Sequence, residues 1–148
     1  MIILYIGNVG YPDTASSIHV RNRAIFMKSC GHEVHVLCEL ASDGKRMEEV
    51  DEVTYQYMDP YPGRGKVRAA FWNLDQVFGK FYFKQTQKYL DKIKPDIIIL
   101  YEPNSILYVL KMLNLSQKEG FKLVIETTEW RNPKDCLLYT SPSPRDRG

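Results

Sequence analysis

The chain has 148 residues, of which 44% are hydrophobic, 12% aromatic and 26% charged, and its formal net charge is +2. This length suits one domain, and the apolar content is typical of a globular protein with a core rather than of a disordered chain. A net charge so close to zero excludes a strongly basic nucleic-acid-binding protein as the default. No apolar run reaches the roughly 20 residues of a membrane helix, and the first residues lack the features of a signal peptide.

The first elements read as a strand, a helix and a second strand. Residues 2–6 form the apolar run IILYI, which is typical of a strand buried on both faces. A turn-rich loop leads into a helix predicted from about residue 18 to residue 29, which Gly31 ends. The sequence VHVLC at 34–38 then predicts the second strand, so the order indicates a βαβ unit.

The middle of the chain contains a third strand and a long helix. Residues 39–51 read as a polar connection, and VTYQY at 53–57 alternates like a strand. From residue 66 to residue 93 apolar residues recur at three- and four-residue spacing, which predicts one long helix with a core-facing stripe and a kink at Gly79. Trp72 and Phe83 fall off that stripe.

Two further strands and one helix complete the predicted fold. KPDIIIL at 94–100 reads as a buried strand, a helix opens at residue 104 or 105 and runs to about Leu113, and FKLVIE at 121–126 is the last strand. About five strands alternating with helices predict a single α/β domain. Its sheet is expected to be a Rossmann-like, doubly wound parallel sheet.

Ligands bind beyond the carboxyl ends of the strands in such sheets. The first loop at this edge has two glycines, but they lack the G-x-G-x-x-G spacing that suits a dinucleotide. This absence disfavours a nicotinamide or flavin cofactor. Glycines can also be needed for a tight turn without any ligand. Free N–H groups at the start of the following helix suit a phosphate or a carboxylate. The substrate-binding residues expected from this loop and helix are Gly7, Asn8, Gly10, Ser16, Ser17 and Arg23.

The polar face of this helix also carries a candidate catalytic residue. His19, Asn22 and Arg23 share one helix face because they are three and four residues apart. Such a face either lines a cleft or is simply solvated, and spacing alone leaves both possibilities open. His32 falls in a turn and His35 alternates outward on its strand, so both are expected to be structural or exposed.

Three segments resemble the family-4-like glycosyltransferase N-terminal domains. They are SSIHVRNRAIFMKSCGHEVHVLC at 16–38, KPDIIILYEPN at 94–104 and LVIETTEW at 123–130. The matching features are an early helical His-Val pair, a Gly-His-Glu-Val turn, a strand ending in Glu-Pro-Asn and a closing Glu-Trp pair. The resemblance covers residues 1–133.

The resemblance implies that residues 1–135 are the N-terminal, acceptor-side half of a GT-B glycosyltransferase. Such an enzyme transfers a sugar with retention and without a metal or another cofactor, and a C-terminal domain mainly holds the nucleotide-sugar donor. His19 would then be catalytic, and this domain without its other half would be inactive. The resemblance also assigns substrate binding to Glu102, Asn104, Glu129 and Trp130. Trp130 could instead be a core anchor, and Glu126 is given no role beyond ending its strand.

The sequence departs from the family at several site positions. Thr14-Ala15 stands where many relatives have a glycine pair, and Tyr101 stands where many have a histidine. A catalytic histidine cannot be assigned to Thr128. The implied acceptor is a cell-surface glycan or glycolipid made in polysaccharide biosynthesis.

A row of lysines on the long helix suggests a second kind of partner. Lys80, Lys84, Lys88 and Lys92 recur every four residues, so this face either touches anionic lipid or is only solvated. The three cysteines show no CxxC spacing, which favours a reduced, cytoplasmic protein. The lysine row adds the possibility of peripheral contact at the inner face of the cell membrane. No nucleic-acid partner is expected.

The last residues, 136–148, read as a disordered tail outside the fold. Their first part, CLLYTSPSPRD, also resembles the translation of a transposon-derived sequencing adapter, in which case the tail is not native. Two other interpretations of the whole chain stay open. One is a complete, non-catalytic Rossmann-like binding module, and the other is a small flavodoxin-like or dehydrogenase-like enzyme.

Overall fold

The structure of the chain is a computed structural model that describes residues 1–7, 15–38, 46–103 and 105–127. Within these ranges, the side chains of residues 15 and 16 are not described. The predicted boundary between a domain at 1–135 and a tail at 136–148 lies outside the described residues. None of the described helices is long and apolar enough to cross a membrane.

In the described part of the chain, six strands form one sheet. Its order is β3-β4-β2-β1-β5-β6, in which only β3 and β4 pair antiparallel. The parallel strands wind outward in both directions from β1, which confirms the predicted Rossmann-like, doubly wound sheet. The strands are β1 Ile2–Gly7, β2 Glu33–Cys38, β3 Met47–Val50, β4 Val53–Tyr57, β5 Ile97–Tyr101 and β6 Lys122–Glu126.

Helices flank this sheet on both faces. They are α1 Ala15–Ser29, α2 Gly65–Phe78, α3 Lys80–Leu90 and α4 Ile106–Glu119. Ser105 caps α4, because its hydroxyl accepts a hydrogen bond from the backbone N–H of Tyr108 at 3.2 Å. The start of α4 therefore agrees with the sequence, but the helix continues past its predicted end at Leu113.

Side chains of the central strands alternate between two apolar clusters. One cluster lies under α1 and contains Tyr5, Val36 and Tyr101, and the other lies under α3 and α4 and contains Leu4 and Ile98. Removing each large side chain from water contributes about 1.5–3 kcal/mol. These clusters fix the sheet between its helices and so hold the carboxyl ends of β1, β5 and β6 side by side.

The strand β3 was not predicted from the sequence. It lies within residues 39–51, which were predicted to be a polar connection, and its residues MEEV form a hairpin with β4. Asp51 and Glu52 make the turn, with φ angles of 52° and 60°, the left-handed conformation that two-residue hairpins favour. An exposed edge strand with two glutamates has no apolar alternation, which is why the periodicity did not show it.

The predicted long helix is two helices that meet at Gly79. This glycine has a φ of 56°, and its N–H donates to the carbonyl of Asp75 at 2.7 Å. The buried Asp75 carboxylate then accepts from the backbone N–H groups of Phe81 at 2.8 Å and Tyr82 at 2.9 Å. The Tyr61 hydroxyl donates to the same carboxylate at 3.1 Å. Asp75 therefore satisfies two of the free backbone donors at the start of α3 and stabilises the break between the helices.

The predicted core-facing stripe was wrong for the first half of this segment. In α2 only Asp75 is buried, whereas Val67, Phe71, Leu74 and Phe78 are exposed. In α3 the apolar side chains do reach the core, where Tyr82 and Phe83 pack against the cluster under α3 and α4. The prediction that Phe83 lies off the core-facing stripe was therefore wrong. The break at Gly79 separates two amphipathic segments that are continuous in sequence.

Alkaline pH is expected to destabilise the fold through Cys38. Burial raises the pKa of this thiol from 9.0 to about 12, so the folded chain keeps a proton that the unfolded chain loses. The free energy of unfolding should therefore fall between pH 9 and pH 12, by up to about 1.4 kcal/mol per pH unit from this group. Urea unfolding of Cys38→Ala should show a flatter pH dependence than the unsubstituted chain.

The exposed Cys30 provides the control for this measurement. Burial also raises the pKa of Tyr89 to about 12, so this tyrosine adds to the pH dependence of the free energy of unfolding in every variant. The comparison is therefore between the pH dependences of Cys38→Ala and Cys30→Ala. Equal slopes in the two variants would contradict the assigned role of the buried thiol.

Candidate functional site

A carboxylate at the carboxyl edge of the sheet holds three side chains from other elements. Glu126 is the last residue of β6, and its Oε1 lies 3.0 Å from Nε2 of His19 and 3.0 Å from the Arg23 guanidinium. The hydroxyl of Tyr5 donates to the other oxygen, Oε2. The Glu126 side chain is only 13% exposed, so its charge is stabilised by these donors rather than mainly by water. We call Tyr5, His19, Arg23 and Glu126 the Glu126 cluster.

The helix α1 brings two members of this cluster to the carboxylate. α1 follows the carboxyl end of β1, and its first turns therefore lie at the same edge of the sheet as the end of β6. His19 and Arg23 are one helical turn apart, which places both on the face that contacts Glu126. The polar helix face noted in the sequence thus lines the strand ends.

An aromatic ring fixes the imidazole of His19 from a second direction. The Tyr101 ring, at the end of β5, stacks on His19 with ring centroids 5.4 Å apart and an angle of 29° between the planes. Tyr101 also lies against Tyr5, at a centroid distance of 6.2 Å. Because His19 is held both by Glu126 and by Tyr101, its ring orientation is set before any ligand binds.

The Tyr5 hydroxyl acts as a hydrogen-bond donor in this cluster. Burial raises the pKa of Tyr5 far above its ordinary value, and the hydrogen bond to Glu126 raises it further. The hydroxyl therefore stays protonated over the whole physiological range. It fixes the Glu126 carboxylate by donating a hydrogen bond to it.

Glu102 ties the end of β5 to the end of β6. It follows β5 with a φ of 46°, a left-handed conformation that is uncommon for residues other than glycine. Its backbone N–H donates to the carbonyl of Glu126 at 2.9 Å. A conformation of this kind costs about 1 kcal/mol or more, and such strain is concentrated at functional sites.

A narrow pocket opens at the same edge of the sheet as the Glu126 cluster, on the side of α3 and α4. Its cavity volume is about 30 Å³, or about 400 Å³ when its open mouth is counted. Tyr101 belongs to both, since its ring stacks on His19 and it also lines the pocket. Strand ends supply one wall, and the junction of α2 and α3 supplies the other. Beside Tyr101, the lining includes Gly7, Glu102, Pro103, Tyr61, Asp75, Gly79 and Tyr108.

The arrangement suits a substrate with hydroxyl and anionic groups. The His19 side chain is 34% exposed, so its ring can contact a ligand while Glu126 orients it. The Arg23 side chain is 55% exposed, and a guanidinium has enough donors to bind an anion as well as Glu126. An oriented imidazole beside a cation can accept or give a proton at a bound hydroxyl.

The structure brings together part of the predicted site. His19 and Arg23 lie in the Glu126 cluster, and Gly7 and Glu102 line the adjoining pocket. Ser17 is buried in α1. The other predicted site residues lie outside the description, Ser16 for its side chain and Asn8, Gly10, Asn104, Glu129 and Trp130 entirely.

The remaining histidines lie away from this site. His35 has hydrogen-bond contacts with the Tyr89 hydroxyl at 3.1 Å and Glu33 at 2.8 Å, which gives it a structural role. His32 is half-buried between the end of α1 and the start of β2. Both lie where the sequence predicted structural or exposed residues.

Two members of the Glu126 cluster were not predicted as site residues from the sequence. Glu126 was expected only to end its strand, and Tyr5 reads as one more core residue in an apolar run. A usable signal for Glu126 was its place as the acidic last residue of a predicted strand, at the edge where ligands bind. Tyr5 carried no such signal, because only the packing directs its hydroxyl to β6.

Among the described residues, no group of three or more His, Cys, Asp or Glu side chains could hold a metal ion.

Comparison with known proteins identifies the fold. No family model matches the chain, and no curated protein matches it. A solved structure of sucrose-phosphate synthase from Thermosynechococcus elongatus is similar, with a TM-score of 0.62 at 13% sequence identity. The match covers 99% of this chain and 36% of that one, so the chain spans about a third of the similar protein. At this identity the likeness shows a glycosyltransferase-like fold and nothing finer.

Proposed function

We propose that this chain is the N-terminal, acceptor-side domain of a retaining, metal-independent glycosyltransferase. The observation that carries the proposal is His19, held by Glu126 and Tyr101 at the carboxyl edge of a Rossmann-like sheet. A pre-oriented imidazole at this edge is suited to a substrate hydroxyl, which is the group that a sugar acceptor presents. The acceptor is a cell-surface glycan or glycolipid, and the enzyme acts in the cytoplasm in polysaccharide biosynthesis.

Each residue of the site has a role in this proposal. His19 contacts the acceptor hydroxyl and is the catalytic residue, while Glu126 and Tyr5 position its ring. Arg23 provides positive charge for the diphosphate of the nucleotide-sugar donor. Glu102 contacts the acceptor from the wall of the adjoining pocket.

The fold comparison supports the general class. Synthesis of sucrose phosphate, for which the similar protein is named, joins two sugar units and is a glycosyl transfer. Because this chain spans only part of that protein, we assign most of the nucleotide-sugar contacts to a second domain across a cleft. Glu129 and Trp130, which follow β6, are proposed to face the acceptor, and Asn8, Gly10, Ser16 and Asn104 complete the polar lining. Ser17, which was expected to bind substrate, is buried in α1 and is left out of this lining.

The test is to sequence the gene at its source and to assay its product. We expect an open reading frame that continues past Asp135 into a second domain. Its product should release a nucleoside diphosphate from a nucleotide-sugar when a panel of glycan and glycolipid acceptors is present. The 148-residue chain, assayed in parallel, should be inactive because it lacks the donor half.

Two results would overturn the proposal. A natural stop codon close to Asp135 would favour the complete, non-catalytic binding module instead. Sugar transfer by the 148-residue chain itself would show that the missing half is not needed for catalysis.

A further inference from the structure

The helix α2 turns its apolar side outward. Val67, Phe71, Leu74 and Phe78 recur at the spacing of one helix face, and each is between 46% and 56% exposed. The buried residue of this helix, Asp75, lies on the side that faces α3 and the pocket. We call these four exposed apolar residues the α2 face.

This orientation is the reverse of the usual one. A surface helix of a globular protein buries its apolar stripe against the core and exposes polar residues. Here three of the four α2 face residues are large, and none of the four packs into either core cluster. A contiguous exposed apolar surface of this kind marks a site where something else binds.

The apolar surface continues from α2 onto α3. An open depression is lined by Phe71, Leu74, Phe78 and Phe81. The depression has a volume of about 800 Å³ when its mouth is included. Lys80 and Lys84 line the same depression. The surface therefore combines an apolar centre with ammonium groups at its side.

Basic residues outnumber acidic ones in the segment that carries this surface. From residue 61 to residue 90 the basic residues are Arg64, Lys66, Arg68, Lys80, Lys84 and Lys88. Asp75 is the single acidic residue of this segment, and its carboxylate is buried and bonded to α3. Lys88 pairs with Asp59 at 2.7 Å, whereas the side chains of Lys80 and Lys84 are exposed beside the depression.

We propose that the α2 face docks on an anionic membrane surface. The helix would lie in the plane of the lipid headgroups, with its phenylalanine and leucine side chains at the acyl boundary and its basic neighbours on the lipid phosphates. Residues 61–90 contain six basic side chains and one buried acid, and Asp59, which lies beside Arg68 and Phe81, is paired with Lys88. This excess of positive charge favours an anionic bilayer over a protein surface. This inference rests on α2 and α3 alone and stands independently of glycosyl transfer.

Vesicle flotation of the full chain tests this proposal. We expect the chain to float with vesicles of phosphatidylcholine and phosphatidylglycerol, to bind vesicles of phosphatidylcholine alone much more weakly, and to be released by salt. In a Trp130→Phe background, fluorescence reports on Trp72 of α2, and its emission should shift to the blue on binding.

Paired variants separate the two components of the surface. Phe71→Ser/Leu74→Ser should lower vesicle binding about tenfold or more, whereas Phe26→Ser, at a residue on α1 that is 69% exposed, should not. Lys80→Glu/Lys84→Glu should lower binding by a similar factor, and Lys118→Glu on α4 should have little effect. All four substitution sites on α2 and α3 are exposed, and circular dichroism checks that each variant folds.

Several outcomes would overturn the proposal. One is the absence of binding to anionic vesicles at low salt. Another is binding that the α2 and α3 variants leave unchanged. A third is the formation of a concentration-dependent dimer, abolished by Phe71→Ser/Leu74→Ser, by a chain that does not bind vesicles. That result would assign the surface to a second copy of the protein.

Discussion

His19→Ala is expected to lower kcat/KM of the proposed full-length glycosyltransferase by about a hundredfold to ten-thousandfold. The imidazole is oriented by a 3.0 Å contact with Glu126 and by stacking on Tyr101, so a catalyst that acts at the acceptor hydroxyl would be removed outright. Steady-state kinetics with a saturating nucleotide-sugar should show most of the loss in kcat, because we assign most donor contacts to the proposed second domain.

His32→Ala is the matched control for this substitution. His32 lies at the opposite end of α1, where it precedes β2, and it does not belong to the Glu126 cluster. Its removal should change kcat/KM by less than about twofold, because it contacts neither the site nor the pocket. Equal losses in the two variants would remove His19 from the catalytic site.

Gly79→Ala is expected to lower the free energy of unfolding by about 3 kcal/mol or more. Gly79 has a φ of 56°, which strains any residue with a side chain. A Cβ atom there would lie 2.5 Å from the Cβ of Tyr108 and 3.0 Å from the hydroxyl of Ser105, which caps α4. The substitution would therefore push α4 away from the junction of α2 and α3, and urea unfolding would measure the loss.

Gly120→Ala separates the two causes of this destabilisation. Gly120 ends α4 with a φ of 86°, but a Cβ atom there meets nothing within 4 Å. Its substitution should cost only the conformational strain, about 1 kcal/mol. If Gly79→Ala and Gly120→Ala lower the free energy of unfolding equally, the close approach of Tyr108 does not constrain the junction.

Most of the fold could be predicted because local patterns decide it. The apolar runs of β1, β2 and β5 mark buried parallel strands, and Gly31 and Ser105 mark helix ends by their backbone and capping chemistry. The sheet edge that carries the candidate site also followed, since ligands bind where parallel strands end. His19 and Arg23 could be placed on one face by helical spacing alone.

The cluster itself depended on contacts between distant parts of the chain. Tyr5 and Glu126 are separated by 121 positions, and nothing near either residue indicates the hydrogen bond between them. Only the pairing of β1 with β5 and of β5 with β6 brings their strands close enough for that bond. Glu126 therefore reads in sequence as a strand end, although in the fold it orients His19.

The sequence by itself determined five of the six described strands, their alternation with helices, the parallel character of their sheet and the edge at which a ligand is expected. These follow from periodicity, glycine conformation and helix capping, which act over a few residues. The tertiary structure alone decided that Glu126 joins Tyr5, His19 and Arg23, and that the apolar side of α2 faces outward. Periodicity shows that a helix has an apolar side, but the direction of that side depends on how Gly79 and Asp75 join the helix to the rest of the molecule.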